Sequence, residues 1–405
     1  MKTISYPIYF IFLTLLLSQS YIWPTNASNT VTAFFAEERP QRYHAGIDIR
    51  TYGKNGFEIY AIDNGYIQKI KTNYKGYGHT IYLKLDDGNT AVYAHLSEFY
   101  PPIESIIKII KNNKNNQIIE HVFRKNELRV SKGEVIGLTG DTGSISGPHL
   151  HFEIRDENNI SINPLINFYK IEDNIPPIPK QIAVIPKSKL TKTNNSSDIE
   201  FFDIIYKDEK YLIKDTISIT GDFGLALNIF DKVDKQPFTY GLHQIELYID
   251  GDMKYKITYN EHNFDQGHLV NNERNYYLKK IKGERFYNLY DSAPNLSFID
   301  NRSWPSYLLE KGVHNIIIKA SDVNKNNTII FGTIIAENIK DLSYDIIEDN
   351  DSIYIDIDIS DPNNEYIINL CNKYNGEIIN TIRSKERLVR VSKKILEDPY
   401  NTLEF

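Results

Sequence analysis

The residues best suited to chemistry in this sequence are a few histidines and one aspartate before residue 160. His44 and Asp48 stand four apart in YHAGIDIR, where Gly46 and the flanking β-type pattern argue against a helix. A turn that leads into a strand would bring these two side chains together instead. His149 and His151 stand two apart in GPHLHFEIR. Residues two apart in a strand point to the same face, so the two imidazoles are expected side by side.

The neighbours of these residues indicate how they are held. Leu150 and Phe152 are expected to point into apolar packing on the opposite face of the same strand. His95 lies in YAHLSEF, and counting in twos from Tyr93 places both on one face. Each cluster taken alone has an ordinary explanation, as solvated histidines or a hydrogen-bonded aspartate. Only the three clusters together point to a site.

Together the clusters predict a metal centre. Zinc prefers tetrahedral sites of imidazole nitrogen and carboxylate oxygen, and catalytic zinc sites keep three protein ligands and leave the fourth position for water. His44, Asp48 and His151 can supply the three ligands. His149 and His95 then remain as unligated bases, able to exchange a proton near neutral pH.

Short alternating strands and glycine turns must position these residues. The run GFEIYAIDNGYIQKIKT predicts two strands joined at Asp63-Asn64-Gly65, a favoured tight-turn sequence. The run HTIYLKLDDGNTAVYAHL repeats the scheme with Asp87-Gly88 at its turn. Two consecutive hairpins indicate an antiparallel sheet.

The pattern changes between residues 101 and 129. Isoleucines fall at helical spacing there, and the polar run KNNKNN follows them. This predicts a helical or loop insertion between strands, either near the rim of the site or as a packed surface excursion. His121 lies within it and is expected to be solvated.

A second, β-rich part follows the three prolines of IEDNIPPIPK, which indicate a domain boundary. Runs such as HQIELYIDG and HNIIIKASD alternate apolar and polar residues at the spacing of an immunoglobulin-like sandwich. The predicted fold class is therefore mainly β. An antiparallel sheet domain is expected over residues 31–172, an immunoglobulin-like β-sandwich over 173–339 and a small β unit over 340–405. The abrupt end of that last unit is compatible with truncation of a longer chain.

Three segments in order, HAGID, YAHLS and GLTGDTGSISGPHLHFEI, resemble the lysostaphin-type (M23 family) zinc endopeptidases of peptidoglycan. The likeness covers about residues 34–164 and is specific because three separated motifs match. It implies an antiparallel β-sheet metallopeptidase domain in which His44, Asp48 and His151 bind Zn²⁺. It also implies that the two remaining histidines of the motifs, His149 and His95, act on the water and the transition state.

The sequence departs from the family at two places. His79 stands where the family often has Asn and is expected at a structural or rim position, and the insertion at residues 101–129 lengthens one connection. Neither touches an expected ligand. Glu153 shares a strand face with His151 by alternation, so it either orients an imidazole or is a plain surface carboxylate. The glycine-rich run GLTGDTGSISGP either lets backbone approach a substrate or only forms tight turns.

The N-terminus predicts export. Lys2 precedes a short apolar run at residues 8–17, and Ala27 before Ser28 is a plausible cleavage site, so residues 1–28 are expected to be a signal peptide. The protein would then act in the periplasm or at the cell surface. Contact with the membrane is expected only if this segment stays uncleaved as an anchor. The single cysteine, Cys371, excludes an intramolecular disulfide.

These features predict a secreted zinc metallopeptidase whose partner is peptidoglycan. The net charge of −7 argues against wholesale nucleic-acid binding. Two alternatives stay open: a non-catalytic wall-binding regulator of other wall hydrolases, and a zinc peptidase that acts on non-wall proteins. The bond that is cut, the histidine that serves as general base and the oligomeric state are not fixed by the sequence.

Overall fold

Strands are the main regular structure of the described residues because apolar and polar residues alternate along short runs rich in isoleucine and tyrosine, which suit a half-buried pleated surface. The prediction of a mainly β fold is confirmed. The chain forms two compact units, residues 1–337 and 338–405. The computed structural model describes residues 21–114, 118–189, 191–337, 344–348, 352–357, 366–372, 378–384, 386, 388–392 and 401–404.

The first half of the first unit is built around one antiparallel sheet. Its elements are β1 (Val31–Ala33), β2 (Glu38–Arg39), β3 (Arg42–Tyr43), β4 (Ile47–Arg50), β5 (Glu58–Tyr60), β6 (Gly65–Thr72), β7 (Thr80–Leu85), β8 (Thr90–Ala94), β9 (Leu96–Phe99), α1 (Pro101–Lys114), β10 (Ile119–Val122), β11 (Arg129–Val130), β12 (Val135–Thr139), β13 (His149–Arg155), β14 (Ser161–Ile162) and α2 (Pro164–Asn167). The main sheet has the strand order β1-β4-β13-β8-β7-β6-β10, and a smaller sheet has the order β5-β12-β9. The strand that carries the HxH pair therefore lies in the interior of the main sheet.

One of the two predicted hairpins is present, and the prediction of the other is wrong. β7 and β8 pair across the Asp87-Gly88 turn. β5 and β6 do not pair with each other: β5 lies against β12, and β6 lies against β7. Gly65 accounts for the misleading turn signal, because a Cβ there would lie 2.3 Å from the carbonyl oxygen of Lys84. It permits close approach to the neighbouring strand rather than a hairpin turn.

The insertion at residues 101–129 contains the predicted helix and also a strand. α1 buries Ile103 and Ile107 against the core, as the helical spacing indicates. The polar run is followed by β10, which pairs with β6 at the edge of the main sheet. His121 lies on this edge strand and packs edge-on against Phe123, with ring centroids 4.6 Å apart.

The second half of the first unit is a β-rich body with a few short helices. One connected set of strands has the order β22-β21-β25-β26-β18-β17-β15-β20-β24, with β16 and β19 attached. The immunoglobulin-like description and the boundary after residue 172 stay predictions, since both halves belong to one compact unit. The elements are β15 (Ile178–Pro186), β16 (Lys192–Thr193), β17 (Glu200–Lys207), β18 (Lys210–Ile213), β19 (Ile217–Thr220), β20 (Phe223–Phe230), β21 (Gln244–Ile249), β22 (Asp252–Thr258), β23 (Glu261–His262), a 3-10 helix (Phe264–Leu269), α3 (Val270–Glu273), α4 (Tyr276–Lys282), β24 (Tyr287–Asn288), β25 (Gly312–Ser321) and β26 (Asn327–Glu337).

The two halves share strand pairing and a buried polar network. β14 of the first half pairs with β23 of the second. The hydroxyl of Tyr43 donates to Glu273, which also accepts from Tyr259 at 2.9 Å and forms an ion pair with Arg274. All four side chains are buried. Because Tyr43 immediately precedes His44, this network fixes the backbone that leads into the predicted metal site.

Residues 21–28 belong to the folded core, although the sequence places them in the signal peptide. Tyr21 is 5% exposed and its ring stacks on Phe168. The indole of Trp23 packs edge-on against Tyr169, whose hydroxyl donates to the carbonyl oxygen of Ile22 at 2.9 Å. Cleavage after Ala27 would remove these contacts. The predicted signal-peptide boundary at residue 28 therefore disagrees with the packing, while residues 1–20 lie outside the described part of the chain.

The second unit, residues 338–405, contains two three-stranded sheets, with the orders β27-β28-β31 and β30-β29-β32. Its strands are β27 (Tyr344–Glu348), β28 (Ser352–Ile357), β29 (Tyr366–Asn372), β30 (Ile378–Ser384), β31 (Leu388–Ser392) and β32 (Asn401–Glu404). Within the described residues of the whole chain, no helix has the length and apolar character needed to cross a membrane.

Candidate metal centre

The predicted ligands come together because β13 lies between β4 and β8. In the register of these strands, His151 stands opposite Asp48 on one side and Ala94 on the other. His44 lies in the short turn between β3 and β4, and His95 directly follows β8. Residues that are up to 107 positions apart in sequence therefore meet at one point of the sheet.

Three side chains form a tight triangle of potential metal ligands. The Nε2 atom of His44 lies 2.9 Å from Oδ1 of Asp48 and 3.0 Å from Nδ1 of His151. The Nδ1 atom of His151 lies 2.9 Å from Oδ1 of Asp48. Among the described residues, this is the only group of potential metal ligands that contains histidine. Two imidazole nitrogens and one carboxylate oxygen are a donor set that zinc prefers.

Both histidines of the triangle are oriented from behind by an acceptor. Nδ1 of His44 donates to the carbonyl oxygen of Phe34 at 2.7 Å, which leaves the Nε2 lone pair directed at the triangle. Nε2 of His151 lies 2.7 Å from Oε1 of Glu153, so this nitrogen carries the hydrogen and Nδ1 faces the triangle. An acceptor behind each ligating imidazole fixes its tautomer and ring orientation. The residues present therefore fit a zinc ion.

Glu153 is anchored by a buried network of its own. It is fully buried, and its Oε2 accepts from Nε of Arg155 at 2.7 Å. The hydroxyl of Tyr77 donates to Oε1, and the Tyr77 ring lies 5.2 Å from the ring of His151. Burial alone would raise the pKa of Glu153, but the charge of Arg155 and the hydrogen bond to His151 lower it to about 2. Of the two sequence-based alternatives for Glu153, the structure matches the imidazole partner and not the surface carboxylate.

Asp48 is held in its charged form. Burial alone would raise its pKa, but the interaction with His44 and the hydrogen bonds of His151 and His44 hold the pKa well below its usual value. Its second oxygen, Oδ2, accepts from Nη2 of Arg39 at 3.1 Å. Burial opposes the protonation of His151, yet its hydrogen bonds to Asp48 and Glu153 raise the pKa of its imidazole to about 9.

The two further histidines face the same triangle. The rings of His95 and His149 are 4.8 Å apart, and Nε2 of His149 lies 3.5 Å from Oδ1 of Asp48. Nδ1 of His95 lies 2.9 Å from the carbonyl oxygen of Thr142, and Nδ1 of His149 lies 2.9 Å from that of Gly147. A carbonyl oxygen can only accept, so each Nδ1 carries hydrogen and each Nε2 carries a lone pair.

Burial keeps both of these imidazoles neutral. It lowers the pKa of His95 to about 3, with a further contribution from the charge of His151. Burial also lowers the pKa of His149, against the opposing attraction of Asp48. Two neutral imidazoles, each with an unprotonated Nε2, therefore stand beside the triangle.

His95 reaches this face because of its backbone conformation. Its φ of 66° lies in the left-handed region, which few residues other than glycine adopt. The expectation that Tyr93 and His95 share a face is therefore wrong: Tyr93 packs edge-on against Phe152 in the core. Strain of this kind concentrates at functional sites. The same-face prediction for the HxH pair agrees with the structure, where Leu150 and Phe152 are fully buried on the opposite side.

The glycine-rich loop mostly packs against other backbone. A Cβ at Gly140 would lie 2.3 Å from the amide nitrogen of Ser97, and one at Gly143 would lie 2.4 Å from the carbonyl oxygen of Gly76. Of the four glycines in this loop, only Gly147 has open space around it. The backbone nitrogen of His79 donates to Oγ1 of Thr142 at 2.8 Å, which places His79 in the loop contact and outside the ligand triangle.

Sequence reasoning missed several members of the site. Arg39, Tyr77 and the Phe34 carbonyl lie outside the three motifs, and no local pattern marks them. Arg155 carried a weak signal, since it continues the alternation of His151 and Glu153 along β13.

Residues 42–112 and 103–164 match the model of Peptidase family M23. The DD-carboxypeptidase/endopeptidase Mpg of Neisseria meningitidis serogroup B is 32% identical over 124 residues, which cover 31% of this chain and 22% of that protein. An uncharacterized metalloprotease of Haemophilus influenzae is 30% identical over 124 residues, which cover 31% of this chain and 21% of that protein. The chain thus spans about a fifth of the length of the curated relatives it matches.

Solved structures that are similar to part of this chain include two peptidase catalytic domains. The catalytic domain of lysostaphin from Staphylococcus simulans is 22% identical, covers 34% of this chain and 89% of its own, and has a TM-score of 0.25. A catalytic-domain mutant of the M23 protein EnpA from Enterococcus faecalis is 21% identical, covers 36% and 95%, and has a TM-score of 0.26. The predictions of a metallopeptidase and of zinc agree with the family match and with the donor set of the triangle. The match to Peptidase family M23 thus covers residues 42–164, the part of the chain that holds all three potential ligands.

Proposed function

We propose that this protein is an exported zinc endopeptidase that hydrolyses amide bonds in the stem peptides or cross-bridges of peptidoglycan. The observation that carries the proposal is the triangle of His44, Asp48 and His151, whose three ligand atoms lie 2.9–3.0 Å apart. A structural cluster of hydrogen-bonded side chains would not require an acceptor behind each imidazole. Phe34 and Glu153 provide those acceptors.

The chain's own residues have distinct roles in this proposal. His44, Asp48 and His151 hold the ion, and zinc bound there would polarise a scissile carbonyl and activate water for attack. The rings of His149 and His95 lie beside these ligands, and each has an unprotonated Nε2, so one accepts the proton of the attacking water. The other, once protonated, stabilises the oxyanion or donates to the leaving amine.

Peptidoglycan as the substrate is supported by the relatives. Proteins 32% identical over the matched region are named DD-carboxypeptidase/endopeptidase, and the three ordered motifs resemble wall endopeptidases. Export follows from the substrate, and the apolar N-terminal run supports it. The retained ligands and both additional histidines favour hydrolysis over a non-catalytic regulatory role.

A digestion experiment separates this function from its alternatives. Purified zinc-loaded protein is incubated with peptidoglycan and, in parallel, with casein, and the products are analysed by mass spectrometry. We expect new amino termini within stem peptides or cross-bridges and no cleavage of casein. Cleavage of casein alone would indicate a peptidase of non-wall proteins, and zinc binding without any cleavage would indicate a binding module.

A further inference from the structure

A second cluster of potential metal ligands lies where the first half of unit 1 passes into the second. Asp173 follows α2 in the proline-rich connection, Asp231 directly follows β20, and Asp322 lies in the turn between β25 and β26. One carboxylate oxygen from each lies within 4.8 Å of those of the other two. In the described part of the chain, no lysine, arginine or histidine forms an ion pair with any of the three.

Asp231 is the aspartate of this cluster whose buried surroundings most favour a bound cation. Its side chain is fully buried, and neither carboxylate oxygen makes a hydrogen bond of good geometry within the described residues. The backbone N–H of Lys232 is near enough to oppose the rise in its pKa but does not complete such a bond. A buried carboxylate without hydrogen bonds or a counter-charge is strongly unfavourable, so such groups are normally paired or coordinate a metal. Burial and the charge of Asp322 raise the pKa of Asp231 to about 8, so this carboxyl does not ionise readily without a cation beside it.

The surrounding groups supply further oxygen atoms and hold the geometry. The turn Asp322-Val323-Asn324-Lys325-Asn326 has the D-x-N-x-N spacing found in the first half of calcium loops, although no glycine follows it. The amide of Asn326 lies 2.7 Å from Oδ2 of Asp322, and the same side chain donates to the carbonyl oxygen of Asp173 at 3.1 Å. The connection and the turn are therefore already joined at this point.

We propose that Asp173, Asp231 and Asp322 bind one Ca²⁺ ion, which fastens the connection after the peptidase domain to the β-rich second half. The donors are all oxygen, which favours a hard cation over zinc. Calcium–oxygen distances of about 2.4 Å place ligands on opposite sides of the ion about 4.8 Å apart, a spacing that this cluster allows. The ion would neutralise two of the three carboxylate charges.

This site is independent of the zinc triangle in ligands and in consequence. It joins segments that are distant in sequence, so calcium is expected to act on stability rather than on the chemistry of hydrolysis. An ion that binds only the folded protein raises the unfolding temperature with its concentration.

The test uses full-length protein dialysed against EGTA and then restored with one equivalent of zinc. Thermal unfolding is followed as CaCl₂ is raised to millimolar concentration, for the wild type, for Asp231→Asn and for the exposed-site control Asp198→Asn. At roughly a hundred-fold excess over Kd, calcium shifts the folding equilibrium about a hundred-fold, so the wild type and the control should gain several degrees.

The Asp231→Asn protein should show a crossover. Without calcium it should be as stable as the wild type or more so, because the substitution removes a buried carboxyl group that is costly to ionise and gains no hydrogen bond of good geometry in return. With calcium it should be less stable than the wild type, because it gains nothing from the ion. The proposal is overturned if wild-type unfolding is unaffected by calcium and Asp231→Asn is the more stable protein at every concentration. An equal shift with magnesium at the same concentration would overturn the assignment to calcium.

Discussion

Acidification should destabilise this protein through one buried histidine, His262. The residue lies on β23, where the second half of unit 1 pairs with β14 of the first half. Its side chain is 1% exposed, and the rings of Tyr43, Phe264 and Phe298 surround it at centroid distances of 5.2, 5.5 and 5.7 Å. Its Nδ1 atom has no hydrogen-bond partner among the described residues. Protonation would therefore place a charge in an aromatic pocket.

The size of the effect follows from the pKa. Burial lowers the pKa of His262 from 6.5 to about 4, with only a small opposing effect from the charge of Glu153. The unfolded chain thus takes up a proton as the pH falls below 6.5, while the folded protein does so only near pH 4. The contribution of His262 to the free energy of unfolding is fully present above pH 6.5 and is lost as the pH falls from 6.5 to about 4. The full difference corresponds to about 3 kcal/mol, of which about 2 kcal/mol should appear between pH 7.5 and pH 5.0.

The assay compares the free energy of unfolding in urea of the wild type and His262→Phe at both pH values. Phenylalanine preserves the aromatic packing and cannot titrate. Acid effects from carboxylates are common to both proteins and cancel in the difference. We expect the wild type to lose about 2 kcal/mol relative to the variant on going from pH 7.5 to pH 5.0. A difference between the two proteins that does not change with pH would refute the reasoning.

Two further predictions concern the site and the N-terminus. Glu153→Gln preserves an acceptor for His151 but removes the negative charge behind it, so the affinity for zinc should fall about 10- to 100-fold. The affinity is measured by competition with a chelating dye, and a value within about threefold of the wild type would contradict the role of Glu153. A chain that begins at Ser28 should unfold at a lower urea concentration than one that begins at Tyr21, because it loses the buried ring of Tyr21 and the packing of Trp23, a loss of several kcal/mol by buried area. Equal unfolding midpoints for the two chains would support cleavage after Ala27.

The strand periodicity of the sequence was sufficient to predict one face of the site. Because side chains alternate along a strand, HLHFEIR alone indicates that His149, His151 and Glu153 lie together and that Leu150 and Phe152 lie in the core. The Asp-Gly turn was likewise sufficient to predict the β7–β8 hairpin. These features are local, and local patterns determine them.

The remaining features depend on long-range pairing that no local pattern encodes. The register of β13 against β4 and β8 decides that His151 meets Asp48 and that His95 stands beside them. His95 also needs a left-handed backbone, which simple alternation from Tyr93 cannot anticipate. The acidic cluster shows the same limit, since its three aspartates come from three distant segments and each one alone looks like an ordinary turn residue.

The most direct test of the zinc endopeptidase is to measure zinc content and peptidoglycan hydrolysis together in His151→Ala. The matched control is His268→Ala, which removes an exposed histidine far from the motifs in sequence. The wild type and the control should retain about one zinc ion per chain and should release peptide fragments from peptidoglycan. The His151→Ala protein, folded by the criterion of cooperative unfolding, should lose both the zinc and the hydrolysis. Hydrolysis at the wild-type rate by zinc-free His151→Ala would contradict the account.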